Sequence, residues 1–279
     1  MSVATFAYYP GCLTLESARE YDASIRALCR VLDIALEEVD DWNCCGAGVL
    51  DDAAAAEALA NRVLERAGDR RPVVSGCPTC VVALQAAGGP DAARHVLAVF
   101  TEPAVRERIC AKIAATGAER PLGAMKVACF YGRALSNPAL WGGTAEGESW
   151  PMDVLSELSG ATVVKWGGSR RSAGGYVLMA KPEAGFEMLA KVFRDFEKSG
   201  ADAIVTADPH AHFNLDAFQY EIGRRRRQAL EVPVFHVTEL VALAMELEPT
   251  ERWLDRHVTG TLPLLDRLCA EEDRRRAAK

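Results

Sequence analysis

The chain has no apolar run approaching the ~20 residues that cross a bilayer, so no membrane span is expected. Its opening MSVATFAYYPGC lacks a basic stretch followed by an apolar one, the pattern of a secretory signal. The expected location is cytoplasmic. No Gly-x-Gly-x-x-Gly follows a strand and no phosphate loop is present, so a flavin or nucleotide site within the chain is not expected. Positive charge is also short: 32 Lys and Arg against 39 Asp and Glu give a formal net charge of −7, which argues against non-specific nucleic-acid binding. The one strong basic cluster, Arg224–Arg227, reads as a solvated helix face or end, with a docking patch for an acidic partner as the alternative. A hydrophobic content of 49% with 25% charged residues over 279 positions describes a globular chain with room for one large or two ordinary domains.

What is present in quantity is cysteine, and it is unevenly placed. Six of the nine stand in the first eighty residues, five of them as Cys12, the pair Cys44-Cys45, and Cys77-Pro78-Thr79-Cys80. Thirty-one residues separate Cys12 from Cys44, and thirty-one separate Cys45 from Cys77. Near-equal spacing suggests three loops of one domain converging on one object. Thiolates are soft ligands suited to iron–sulfur clusters, zinc or cuprous ions, and without an export signal a metal centre is expected rather than disulfides. Taken alone, Cys77 and Cys80 could also be a redox pair or half a zinc site. Cys29 and Cys110 in helical runs, Cys129 at a strand end and Cys269 in the last helix have no spaced partner and read as ordinary thiols.

Each cysteine group follows a β-type run or precedes a helical one. Thr5–Tyr9 reads as a strand, Ser17–Leu32 as a helix with Ile25, Leu28 and Leu32 on one face, and Glu37–Val39 as a short strand. Asp51 or Asp52 caps a helix that runs to Ala67 and is stopped by Gly68; Pro72–Ser75 is a strand, and Pro78 opens a helix. In an open α/β sheet, loops at the carboxyl ends of strands share one edge, which brings the five cysteines together. After a mainly helical segment 88–123, the order begins again: strands at Met125–Tyr131, Ala161–Trp166 and Ala203–Ala207, helices at Asp153–Ser159 and Pro182–Ser199, and a final strand and helix in Glu231–Leu247. Gly132-Arg133 stands where Gly11-Cys12 stood, Ser172-Ala173-Gly174 where Cys44-Cys45-Gly46 stood, and Asp208-Pro209-His210-Ala211 where the Cys-Pro-Thr-Cys stood. This reads as an internal duplication with all five cysteines replaced. The expected fold is α/β: two pseudo-symmetric units, each with a short, largely parallel sheet flanked by helices, their motif loops facing across a cleft. The units are placed at 1–123 and 124–250, followed by a helical, charged tail at 251–279 whose end, Glu271–Lys279, is expected to be disordered.

The motifs YYPGC (8–12), WNCCGAG (42–48) and SGCPTC (75–80), with VACFYGR (127–133), GADAIVTADPHAHFNLDAFQ (200–219) and VPVFHVTEL (232–240), resemble the B-type subunit of heterodisulfide reductase and the two-copy cysteine-rich (CCG) domain proteins. The resemblance covers nearly the whole chain, and it is similar to the heterodisulfide reductase-like complexes of sulfur oxidisers. It implies that Cys12, Cys44, Cys45, Cys77 and Cys80 hold one non-cubane 4Fe-4S cluster, with the helix after Pro78 aiming its free N–H groups near it. The replaced second motif implies one centre instead of two, and puts in doubt a symmetric disulfide cleavage between two clusters.

The implied activity is that of an oxidoreductase component: electron transfer coupled to sulfur–sulfur bond or sulfur-compound chemistry. The implied partners are a ferredoxin-like iron–sulfur protein (the C-type subunit of such complexes) and a flavoprotein (the A-type subunit). The substrate would be a sulfur-containing small molecule or thiol carrier. Arg133 and His210 are the candidate catalytic residues, in an anion-binding wall with Arg170, Arg171 and His212; Asp208 is the rival partner of Arg133. The alternative is a non-catalytic assembly or anchor subunit of a quinone-linked dehydrogenase, with zinc held by the cysteines. A free-standing thiol protein using Cys77 and Cys80 leaves the other three cysteines without a role.

Overall fold

A computed structural model describes residues 4–48, 52–70, 72–117, 122–142, 150–248 and 250–277. Strand β1 (Ala4–Tyr8) lies between β2 (Ile34–Glu38) and β3 (Val73–Ser75), with β4 (Ala93–His95) beyond β3, all pairings parallel. The second sheet repeats that order: β5 (Lys126–Cys129) lies between β6 (Thr162–Val163) and β7 (Ala203–Thr206), and β8 (Val234–His236) lies beyond β7. Parallel neighbours require crossovers, and helices supply them. In the first unit these are α1 (Cys12–Glu16), α2 (Arg19–Val31), α3 (Ala53–Ala67) and α4 (Pro78–Gly88). Every residue of β3 and β7 is buried, as central strands covered on both faces should be. The expected two-unit α/β fold is what the chain adopts.

Local sequence explains the helix ends. Asp52 accepts from the amides of Ala54 and Ala55 and starts α3, and Gly68, at φ 62°, ends it; Asp51 lies outside the described residues. On α2, Ile25 and Leu28 are fully buried, each stabilising the fold by about 1.5–3 kcal/mol. The segment 88–123 is less helical than expected. It contains β4, α5 (Val96–Phe100) and α6 (Pro103–Ala114), because Ala93–His95 is too short to show a strand period.

The second unit continues with α7 (Pro151–Leu158), α8 (Val177–Ala180), α9 (Pro182–Glu197), α10 (Pro209–Ala217), α11 (Gln219–Arg226), α12 (Val237–Ala244), α13 (Thr250–Leu254) and α14 (Leu262–Ala277). Strand β6 is two residues long, not the six expected. Past it, the Cys129 carbonyl accepts from the Trp166 indole (2.9 Å) and the Ser169 hydroxyl (2.9 Å), so side chains replace a strand neighbour there. The tail is also corrected: α14 runs to Ala277, anchored by buried Leu264 and Leu268 and by Arg267 on Asp202 (3.1 Å). Its Glu, Arg and Ala residues are good helix formers with no breaker among them.

The units share one continuous apolar core. Ser24 on α2 hydrogen-bonds Thr238 on α12 at 2.7 Å, and the Tyr21 hydroxyl donates to the Ala207 carbonyl at 3.1 Å. The arginine run at the end of α11 is largely neutralised: Arg224 and Arg225 bind Glu221, Arg225 also binds Glu183, and Arg226 binds Glu197. That favours the solvated-face reading over a docking patch.

Candidate metal centre

Three strand-end loops carry the five cysteines, and the fold brings all five together. Their sulfurs form an open chain of neighbours. Cys12 Sγ lies 3.6 Å from Cys44 Sγ, Cys44 neighbours Cys45, Cys45 Sγ lies 3.5 Å from Cys80 Sγ, and Cys80 neighbours Cys77. No three of them lie within 4.8 Å of one another among the described residues. A structural zinc site uses four ligands. An arc of five soft donors suits a larger, polynuclear centre.

The loops are built for this crowding. Gly11 takes φ 75°, and a Cβ there would stand 2.9 Å from Cys80 Sγ, so only glycine lets the backbone pass the sulfur. The Tyr9 hydroxyl donates to the Asn43 carbonyl (2.8 Å), Asn43 donates to the Leu59 carbonyl (3.0 Å), and the Gly46 amide points at Cys44 Sγ (3.5 Å). Cys77 is the residue before α4 and makes no side-chain cap; its sulfur meets the Cys80 thiol instead. Cys45, Cys77 and Cys80 are buried, while Cys12 and Cys44 are half-buried, so access is from their side.

Electrostatics agree with a cationic occupant. Donation from the Cys80 thiol draws Cys45 down to about 7, whereas burial and the Cys44 sulfur push Cys12 up to about 12. Cys80 is raised by its hydrogen bonds to Cys45 and Cys77 and by burial. Five thiols this close cannot all ionise without positive charge among them, and metal ions supply it. The residues therefore fit the iron–sulfur centre that the resemblance implies.

The second copy keeps the backbone and reassigns the side chains. The Gly174 amide donates to Ser172 Oγ (3.2 Å), as the Gly46 amide does to Cys44 Sγ. The Asp208 amide donates to Thr206 Oγ1 (3.3 Å), as the Cys77 amide does to Ser75 Oγ (3.2 Å). Asp208 caps α10 by accepting from the amides of His210 and Ala211, so a former ligand position has become a helix cap. Ala173 and Ala211 are buried, and Asn214 donates to the Ala173 carbonyl (3.0 Å).

The expected anion wall is dispersed. Arg170 covers the Trp150 ring (4.4 Å), Arg171 is ion-paired to Asp195, and His212 is buried in another cluster. Aromatic and acidic neighbours claimed these side chains first. Arg133 is exposed. It does not pair with Asp208, and it makes no ion pair among the described residues. The His210 ring packs against Tyr176 (4.4 Å), and burial lowers its pKa while Asp208 opposes the shift.

Tyr176 was not foreseen. It packs on Gly48, and burial together with Cys77, Cys12, Cys45 and Cys80 raises its phenol pKa. It is a second-unit side chain that covers the first unit's sulfurs. No sequence signal marks it, because the contact spans the two copies.

A fold of paired parallel sheets with five thiols at a shared loop edge is that of a cysteine-rich α/β protein. Comparison agrees: residues 6–85 and 172–216 match the cysteine-rich domain, CCG. The second match covers a stretch that has lost its cysteines. The chain is distantly homologous to the B-type subunit of CoB-CoM heterodisulfide reductase from Methanosarcina acetivorans and from Methanosarcina mazei, each 28% identical over 148 residues, 52% of this chain and 49% of theirs. The chain's match thus spans about half the length of those proteins. It is also 27% identical over 284 residues, 93% of this chain and 98% of the other, to the 8-methylmenaquinol:fumarate reductase membrane anchor subunit of Wolinella succinogenes. These relatives are subunits of redox enzymes. A hypothetical protein from Helicobacter pylori shares the fold at TM-score 0.65 and 11% identity, covering 94% of this chain and 53% of that one. No helix among the described residues is long and apolar enough to cross a membrane.

Proposed function

We propose that the chain is the iron–sulfur subunit of a heterodisulfide reductase-like complex, holding one non-cubane 4Fe-4S cluster on Cys12, Cys44, Cys45, Cys77 and Cys80. The observation that carries this reading is the convergence of five sulfurs from three strand-end loops, one more than the four ligands of a structural zinc site. Bound there, such a cluster would supply a one-electron redox centre. The protein's own residues orient it, exclude water on the Cys45–Cys77–Cys80 side and leave the Cys12–Cys44 side accessible. Cleaving a disulfide to two thiols takes two electrons and two protons. Forming one releases them, and the ferredoxin-like iron–sulfur partner and the flavoprotein partner supply or accept the electrons. Arg133, exposed and without an ion pair among the described residues, is the cation offered to an anionic sulfur substrate, and His210, packed on Tyr176, serves proton traffic. The setting is cytoplasmic.

A second reading is favoured by the length of the fumarate reductase match, 98% of that relative. In it the chain is a peripheral subunit docking a quinone-linked reductase, and the centre is structural or relays electrons. One experiment separates the two readings. Anaerobically purified chain with its neighbouring subunits is assayed for iron, acid-labile sulfide and a paramagnetic signal on addition of disulfide or thiol. A cluster signal perturbed by the sulfur compound supports the first reading; a cluster that ignores it, co-purifying with a fumarate-reducing or succinate-oxidising protein, supports the second.

A further inference from the structure

Away from the cysteines, a buried group joins the two units. Glu20 comes from α2, His212 from α10 and His236 from the end of β8, and all three are buried, at 5%, 2% and 0% exposure. One ligand atom from each lies within 4.8 Å of the other two. His236 Nε2 faces Glu20 Oε1 at 3.7 Å, too far for a hydrogen bond, and has no hydrogen-bond partner. A buried nitrogen left in that state costs free energy unless something else satisfies it.

The surroundings are those of a ligand shell. His212 Nε2 contacts the Val234 carbonyl at 3.1 Å, which places the proton on Nε2 and leaves the Nδ1 lone pair free, the usual support for a metal-binding imidazole. The His236 amide donates to Glu239 Oε2 (2.8 Å), and Glu239 Oε1 holds His257 Nε2 (3.0 Å), whose ring packs edge-on against His212 (4.9 Å). Tyr21 stacks on His236 at 4.1 Å.

We propose that Glu20, His212 and His236 bind one divalent transition-metal ion, zinc or ferrous iron, that clamps the two units together. Two imidazole nitrogens and a carboxylate suit these ions and do not suit cuprous ion or magnesium. The two imidazole rings stack on each other at 4.0 Å and 18°, so a rotation of the rings is what brings both nitrogens onto one ion at about 2.0–2.2 Å. The clamp lies next to the sulfur site through one residue. Tyr21, stacked on His236, donates to the Ala207 carbonyl, and its ring stands 3.0 Å from where a Cβ on Gly76 would be. Gly76 precedes Cys77, so the ion fixes the wall behind that loop.

Crystals of the full chain, grown with zinc or ferrous iron alone, are measured for anomalous scattering at both metal edges. Absorption spectra report the ligand type: nitrogen and oxygen near ~2.1 Å or sulfur near ~2.3 Å. The expected result is an anomalous peak between Glu20, His212 and His236 with a nitrogen/oxygen shell, and the edge identifies the ion. Glu20→Gln, a near-isosteric change, should lower occupancy of this peak at least tenfold and leave metal at the cysteines unchanged. Metal found only with sulfur ligands, or an unchanged peak in Glu20→Gln, overturns the proposal. The wild-type measurement decides alone if the variant does not fold.

Discussion

The ring of Tyr176 in the second unit occupies the space a side chain on Gly48 would need: a Cβ there would stand 2.1 Å from Tyr176 Cε2. Gly48 also has φ 77°, where a Cβ is disfavoured. Gly48→Ala should therefore cost about 1–3 kcal/mol, the range of overpacking, read as a lower thermal midpoint. Tyr176→Ala should leave stability nearer to wild type and expose the sulfurs. Faster loss of the visible iron–sulfur absorption in air checks this; unchanged air sensitivity would show that Tyr176 does not shield the centre.

Serine at Cys12, Cys44, Cys45, Cys77 or Cys80 should remove or strongly reduce bound iron, because a hydroxyl is a harder and rarely ionised ligand. Serine at Cys110 or Cys269, both exposed, should change nothing. Cys29 is buried and its thiol is pushed up to about 12 by burial, which makes it a packing residue; Cys29→Ser should affect stability alone. Iron analysis of the anaerobic protein should give about four irons per chain, the content of one 4Fe-4S cluster. About eight would show that the cysteine-free second loops still hold metal.

Stability should fall between pH 6.5 and 4. His95 ends β4 with both ring nitrogens used: Nδ1 accepts from the Leu97 amide (3.3 Å), so Nε2–H donates to the Gly76 carbonyl (2.8 Å). Protonation of Nδ1 breaks the first bond. Burial lowers the pKa to about 4, against the opposing pull of the Gly76 and Ala207 carbonyls. Below the ordinary histidine value the unfolded chain binds a proton that the folded chain refuses. The contribution is therefore complete above about pH 6.5 and lost as pH falls toward 4, amounting to about 3 kcal/mol. Denaturant titrations across that range should show the slope, and His95→Asn should flatten it.

The sequence made the sulfur site legible because its ligands sit on three short motifs at strand ends, where chain order alone predicts convergence. The duplication was legible for the same reason: Gly11 and Gly132, both at positive φ, mark the same turn in each copy. The anion wall was misplaced because nearness in sequence does not fix direction. Arg170 and Arg171 leave the loop toward Trp150 and Asp195. Tyr176 and the Glu20–His212–His236 group were invisible because each joins residues of different units with no common spacing. Short β4 carried no period, and β6 was overextended because apolar Val164 continues its pattern after the ladder has ended.

The final pair of substitutions separates a structural residue from a free one in the vacated loops. Asp208 accepts from two amides at the start of α10, so Asp208→Ala should cost about 0.5–2 kcal/mol, and Asp208→Asn, which keeps the cap, much less. Burial raises the Asp208 pKa, so its charge contributes less than its cap, and the asparagine variant tests that order. Arg133 is exposed and outside any ion pair among the described residues; Arg133→Ala should therefore shift stability by no more than about 0.5 kcal/mol. Its effect should appear in binding: an anionic sulfur substrate held by a charge-assisted hydrogen bond loses about 1.5–3 kcal/mol of affinity, while the cluster spectrum is unchanged. Calorimetric titration of both variants checks the contrast, and unaltered affinity in Arg133→Ala would leave that arginine a surface residue.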